Sequence, residues 1–317
     1  MAAPRAAVKA EPVAVVETAA FYSPISNRNG AMPLRPLKQL SLPDAVRRAN
    51  DAWLAALAAE LDGPDADWHR IARDTLFQIW YPGHSDYAGM VADPATPAPT
   101  RASLLALDPG NVTLEPEYYA DVDPVRFARV KPLLWLWYSF DRSPAGGQNV
   151  DLGVRLRRLL AERVFARCGR NFKCFQHVEL SFGYNLEVGD DVVVHRHVLL
   201  DDRGGITLGN RVSISDYANI YSHTHSIVDQ ADVTCARTVL DDDVRITYHA
   251  TVLAGVRVGT NGMVGAVAVA TKHVRPYHVN VGIPAKSVRV KPNAPPEAAA
   301  TLRLGTDPEE TSSVTSP

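Results

Sequence analysis

The chain has 317 residues, 46% of them apolar, and a formal net charge of −2. That length holds two compact units with an ordinary core. No Lys/Arg-rich block offers an electrostatic footprint for nucleic acid, and no run approaches the roughly 18 apolar residues of a membrane helix. The expected partners are therefore neither nucleic acid nor membrane. Three cysteines, Cys168, Cys174 and Cys235, are too few and odd in number for a disulfide scaffold and fit a reducing cytoplasm.

Residues 1–40 are rich in Ala and Val but broken by Pro4, Lys9, Glu11, Pro12 and Glu17. Lacking the continuous apolar core of a secretory signal, they read as a flexible leader. Residues 41–170 read as mostly helical. Ser41 is a plausible N-cap for a helix over 41–62, with Ala45, Ala49, Ala52, Trp53, Ala56 and Leu57 as its apolar stripe. A second helix is expected from Trp68 to Trp80, stopped by Pro82-Gly83. Residues 91–125, with their Pro, Asp and Thr, read as loop with short structure. The run Leu133-Leu134-Trp135-Leu136-Trp137-Tyr138 is expected to be core or interface, the functional alternative being the lining of an acceptor pocket. A third helix is expected from Asp151 to Arg167. It places Val154, Leu156, Leu159, Leu160 and Val164 inward and Arg155, Arg157, Arg158 and Arg163 on solvated faces, with Gly169 as its stop.

From 171 to 291 the pattern changes. Leu240, Ile246, Val252, Val258, Val264 and Ala270 recur every six residues, and so do Val188, Val194, Leu200 and Leu208, Ile214, Ile220. Strands repeat every two residues and helices every 3.6, so a strict six belongs to neither alone. It is the mark of a parallel β-helix, in which each short strand sends one aliphatic inward before the chain turns a corner. Gly189, Gly209 and Gly259 each follow an inward aliphatic, where a tight corner tolerates no bulk. The expected fold is mainly β: a left-handed parallel β-helix C-terminal domain preceded by a mostly helical region. Residues 292–317, dominated by Pro, Ala, Glu, Ser and Thr, read as a disordered tail.

Two His-x-His pairs stand in the coil, His195/His197 and His223/His225. The second falls where the six-beat stops, between Ile220 and Leu240, so an excursion leaves the coil there. Loops on a rigid scaffold are where reactive groups sit, and histidine is a general base near neutral pH. The plainer alternative is surface polar residues beside a turn.

The stretches LEVGDD…LLDDRGGITLGNRVSISDYANIYSHTHS and TVLDDDVRITYHATVLAGVRVGTNGMVGAVAVATKHVRPYHVNVGIPAKSVRV resemble the hexapeptide-repeat O-acetyltransferases of the maltose and galactoside type. The resemblance covers about residues 172–291. It implies a left-handed β-helix, a homotrimer, and acyl-coenzyme A (acetyl-CoA) held between neighbouring subunits for transfer to a small-molecule hydroxyl acceptor. The family's catalytic histidine, in a Thr-His pair, falls on His225, with His223 as the other candidate. The Val-Thr-Lys and Gly-x-Pro-Ala-Lys segments fall on Ala270-Thr271-Lys272 and Gly282–Lys286, implying Thr271, Lys272 and Lys286 as coenzyme contacts. Asp201, Asp202 and Asn219 are candidates to orient the base or bind acceptor, or are corner caps.

The chain departs from the family in three places. His195-Arg196-His197 stands where an acceptor-side Asn is usual, which makes both histidines acceptor candidates. Arg245-Ile246-Thr247-Tyr248-His249 replaces Trp-Ile-Gly and a small residue, narrowing the coenzyme groove or making Arg245 a phosphate contact. Residues 1–170 have no counterpart. Two other readings remain at this stage. One is a zinc-dependent hydratase resembling the γ-class carbonic anhydrases, with His195 and His197 on one strand face. The other is a non-catalytic trimeric scaffold. A trimer is also expected on general grounds, because flat coil faces are buried by threefold packing.

Overall fold

The computed structural model of the protein describes residues 42–229 and 231–299. The leader over 1–40, Ser41 and the tail beyond residue 299 lie outside the described residues.

Among the described residues, six α-helices precede the coil: α1 (Asp44–Leu61), α2 (Trp68–Trp80), α3 (Tyr87–Ala92), α4 (Ala98–Leu105), α5 (Pro124–Asp141) and α6 (Val150–Val164). Helix α2 has the bounds its spacing predicts, with the Asp67 carboxylate accepting from the N–H groups of His69 and Arg70. Helix α1 begins later than expected, with Pro43 at its N-cap and no side-chain cap.

The principal departure is α5. Its aromatic run lies in the C-terminal half of an 18-residue helix that carries Pro132 in its interior. Leu133, Leu134, Leu136, Trp137 and Phe140 are all buried, and a helical segment apolar on every side, as α5 is from Pro132 to Phe140, is a central one. It packs against α2 and α6, so the run is core.

A second correction concerns Arg157, which is 1% exposed rather than solvated. Its Nε donates to Asp141 Oδ1 at 2.9 Å, its Nη2 pairs with the same oxygen, and its Nη1 donates to the Cys174 carbonyl at 3.1 Å. Asp141 Oδ2 accepts the His177 N–H at 2.7 Å. The pair fastens α5 and α6 to the first coil and satisfies both charges, the condition for burying them.

Helix α6 ends at Val164, and the first strand is already in place at Arg167–Cys168. Gly169 is thus a corner, not a helix stop. A Cβ there would meet the Gly189 backbone at 2.3 Å.

From that point the chain winds as a parallel β-helix with three faces. The first face stacks Arg167–Cys168, Leu186–Val188, Ile206–Leu208, Thr238–Leu240 and Arg257–Val258. The second stacks Lys173–Cys174, Val193–Val194, Ser213–Ile214, Arg245–Ile246, Met263–Val264 and His278–Val281, closed by antiparallel Lys286–Val290. The third stacks Glu179–Leu180, Leu199–Asp201, Asn219–Tyr221, Thr251–Val252 and Val269–Ala270. Register superposes the inward aliphatics: Val188 on Leu208 on Leu240 on Val258, and Ile214 on Ile246 on Val264. Every residue of the six-beat is buried to within 1%. Corner glycines sit where the windings touch: a Cβ on Gly189 would lie 2.7 Å from the backbone of Gly209.

Candidate active site

The six-beat breaks at the corner between the third and first faces. Ser222 is buried there, its Oγ donating to the Asp201 carbonyl and accepting from the Gly204 N–H. Beyond it the chain leaves the coil as an antiparallel hairpin, His223–His225 against Val233–Cys235, with His223 opposite Cys235.

Asp201 ends the strand beneath this hairpin and is 2% exposed. Its carboxylate accepts from Ser181 Oγ at 2.7 Å and the Ser222 N–H at 3.2 Å, and pairs with His223 Nδ1 at 2.5 Å. A carboxylate on Nδ1 holds the proton there and leaves the Nε2 lone pair outward. The His223 ring stands edge-on to Tyr221 at 6.3 Å and to His225 at 5.2 Å. Half-buried His223 therefore has a fixed ring and tautomer, while His225 lies exposed beside it. Chemically the pair is a proton acceptor with a built-in orienting carboxylate.

Asp202, adjacent in sequence, faces inward. It is fully buried and accepts the N–H groups of Phe182, Gly183 and Asn185 at 2.7–3.0 Å. Burial pushes its carboxyl up to about 6 against the pull of those donors. It caps the preceding corner. Asn219 lies on the outer side of the third face, its Nδ2 donating to the Tyr217 carbonyl at 3.4 Å.

The other candidates fall elsewhere on the coil. Within one chain, His195 and His197 stand one face away from Asp201, at the corner between the second and third faces. They do not share a strand face. His195 stacks on Phe175 at 5.0 Å, while His197, with φ 56° at the corner itself, stacks between His177 and Tyr217 at 4.9 and 4.8 Å. His249 extends this column beyond Tyr217 at 4.9 Å. Of the column, His177 and Tyr217 escaped sequence reasoning, although with His197 they follow the twenty-residue winding step, while His249 belongs to the altered corner noted in the sequence. Among the described residues, no three His, Cys, Asp or Glu side chains are grouped to hold a metal ion.

Thr271 and Lys272 are exposed just after Val269–Ala270, at the same corner as the hairpin and two windings further on. At about 4.8 Å between neighbouring strands, that is roughly 10 Å along the axis. Exposed Lys286 begins the closing strand of the second face, next to Ala285, whose N–H donates to the Val269 carbonyl at 2.7 Å. Arg245 stands apart on the second face, exposed, between Ser213 and Met263.

Sequence reasoning also missed a cluster from the helical region that reaches this corner. Arg203 donates to both carboxylate oxygens of Asp121, through Nε at 3.0 Å and Nη2 at 2.8 Å. Its guanidinium lies 4.3 Å from the centre of the Tyr119 ring. No local pattern links Asp121 to Arg203, which is 82 residues away.

No protein-family model matches the chain. Over 140 residues it is 25% identical to the galactoside O-acetyltransferase of Escherichia coli, a stretch covering 43% of this chain and 69% of that protein. Among solved structures it is similar to a maltose O-acetyltransferase from Clostridium difficile, with 22% identity and a TM-score of 0.48 over 55% of this chain and 91% of that one. It is also similar to a hexapeptide-repeat acetyltransferase from Vibrio cholerae complexed with acetyl-coenzyme A, with 22% identity and a TM-score of 0.47 over 56% and 94%. The resemblance read from the repeat thus agrees with the relatives that the chain matches.

Proposed function

We propose that the protein is an acetyl-coenzyme A-dependent O-acetyltransferase that acts, as a trimer, on a hydroxyl of a sugar or similar small molecule, with His223 as its general base. The observation that carries this reading is the Asp201–His223 pair at the corner where the hairpin leaves the coil. The likeness to galactoside O-acetyltransferase supports the reaction class. The resemblance puts the base at His225. The geometry supports His223, whose Nδ1 faces the buried Asp201 carboxylate, a partner that holds the tautomer a base needs.

In the proposed step, His223 Nε2 takes the acceptor hydroxyl proton as that oxygen attacks the thioester carbonyl. The tetrahedral intermediate collapses by breaking the carbon–sulfur bond, and the imidazolium returns its proton to the departing sulfur, leaving the acetyl ester and free coenzyme A. Asp201 stabilises the transient imidazolium through Nδ1–H. Thr271, Lys272 and Lys286 contact the pantetheine arm and phosphates, lysine acting there as a point charge. Arg245 and the His195/His197 corner lie on other faces of the same chain and join the site only across a threefold contact.

Two measurements test this. The first is calorimetric titration with acetyl-coenzyme A, wild type beside Lys272→Ala, with micromolar binding weakened in the variant as the expected result. The second is coenzyme A thiol release with a panel of methyl glycosides, in which His223→Ala abolishes turnover and His225→Ala reduces it less. No coenzyme binding sinks the transferase reading. The reverse order of the two histidine variants moves the base to His225.

A further inference from the structure

The corner holding His223 is not built by the coil alone. Arg203, two residues past Asp201, reaches into the helical region and is clasped by Asp121 from two directions. Cys235, directly opposite His223 in the hairpin, donates its Sγ–H to Asp121 Oδ2 at 3.6 Å. Tyr119 lies under the Arg203 guanidinium and donates its hydroxyl to Glu115. Tyr119 thus meets the corner through Arg203, two residues beyond Asp201. One short segment, 115–121, therefore touches both the strand end that carries Asp201 and the hairpin that carries His223.

We propose that segment 115–121 forms the acceptor-side wall of the site, with Glu115, Tyr119 and Asp121 as its specificity-determining residues. This rests on the transferase reading. The wall sets what may approach the base. Glu115 and Asp121 present carboxylates there, with that of Asp201 buried behind them, against the single guanidinium of Arg203. Such an excess of negative charge repels a phosphorylated acceptor, while carboxylates and a phenol hydrogen-bond to the hydroxyls of an uncharged one. Asp121 has a second role: holding both Arg203 and Cys235, it fixes the hairpin relative to the strand beneath.

The test is ligand binding to the full chain with two probe sets, methyl galactoside and methyl glucoside against the corresponding 6-phosphates, followed by saturation-transfer NMR and calorimetry. Wild type is expected to bind an uncharged glycoside at least tenfold tighter than its phosphate. Glu115→Lys, at an exposed position, and Asp121→Asn are expected to narrow that ratio by about tenfold, with acetyl-coenzyme A affinity unchanged. Tyr119→Phe is expected to raise the acceptor KM without a matching fall in kcat. Unchanged ratios in both charge variants, a wild-type preference for the phosphate, or no binding of any probe at millimolar concentration overturns the proposal. Failure of the transferase reading looks different: glycosides bind, but acetyl-coenzyme A neither binds nor releases thiol.

Discussion

Asp201→Asn separates the two histidines more sharply than removing either one. The substitution keeps the shape of a side chain that is 2% exposed but exchanges a carboxylate for an amide. Asp201 accepts from Ser181 Oγ, the Ser222 N–H and His223 Nδ1. An asparagine offers one oxygen to those donors and turns its NH2 group toward another of them. Hydrogen bonds to charged groups contribute about 1.5–3 kcal/mol, and each 1.36 kcal/mol is tenfold in rate. If His223 is the base and Asp201 its orienting group, kcat falls about 10- to 150-fold. The KM for acetyl-coenzyme A stays constant, because Thr271 and Lys272 lie three windings away. The assay is thiol release at saturating acceptor, with a thermal melt of the same preparation to show that the variant remains folded. A folded Asp201→Asn with wild-type kcat refutes the assignment of His223, since no other observation selects it over His225.

Four further outcomes follow from the packing. Arg157→Ala leaves the Asp141 carboxylate buried without its cation and is expected to cost about 3–5 kcal/mol in denaturant unfolding; a loss under 1 kcal/mol would mean the clasp is not what fastens α6 to the coil. Ile246→Ala, at a fully buried six-beat position, is expected to cost about 2–5 kcal/mol by the same measurement. Gly189→Ala forces a Cβ to 2.7 Å from the Gly209 backbone, so soluble yield and melting temperature should both drop, whereas an unchanged melt would show that the windings can part. Asp202 carries a pH signature. Its carboxyl is raised from 3.8 to about 6 in the folded protein, so the native state binds that proton more tightly than the unfolded chain. The stability this supplies is present below pH 4 and lost as pH rises to about 6, a swing of about 3 kcal/mol. Unfolding of wild type and Asp202→Asn between pH 3 and 7 should therefore shift in the variant's favour as pH rises.

The parts of this protein that could be read from its sequence are those that repeat. An inward position every sixth residue sets the coil, and its register follows because each winding must place Leu208 over Val188 and Leu240 over Leu208. Even the Asp201–His223 pair is half legible, since the winding step sets Tyr221 over Asp201 and His223 follows two residues later. What the period does not contain is the excursion that turns His223 back toward the carboxylate. Helix α5 was hidden by its own completeness. Apolar on every side from Pro132 to Phe140, it shows no stripe there, and Pro132 reads as a stop. A proline inside a helix costs about 3 kcal/mol, which burial of Leu133, Leu134, Leu136, Trp137 and Phe140 outweighs at about 1.5–3 kcal/mol per large apolar side chain. Arg157 was misread for a related reason: its partner Asp141 stands on another helix, and a pairing between helices leaves no mark in the spacing of either.

That contrast bears on how the proposed activity is divided along the chain. Thr271 and Lys272 occupy positions dictated by the coil, where the same corner recurs every winding, and a coenzyme that lies along such a corner is served by a repeated geometry. An acceptor has no such repeat to follow. Its wall must come from a segment that breaks the period, and two segments do so at this corner: the hairpin with His223 and His225, and the stretch 115–121 tied to Arg203 through Asp121. Changes in either should alter which hydroxyl is acetylated while leaving coenzyme affinity in place. Changes at Lys272 should do the opposite. Swapping the charge of Glu115 and removing that of Lys272 in one variant is then expected to give additive losses, because Lys272 stands two windings beyond the hairpin corner that segment 115–121 reaches. A large coupling between them would mean that acceptor and coenzyme contact the same groups, and that the wall belongs to the donor site instead.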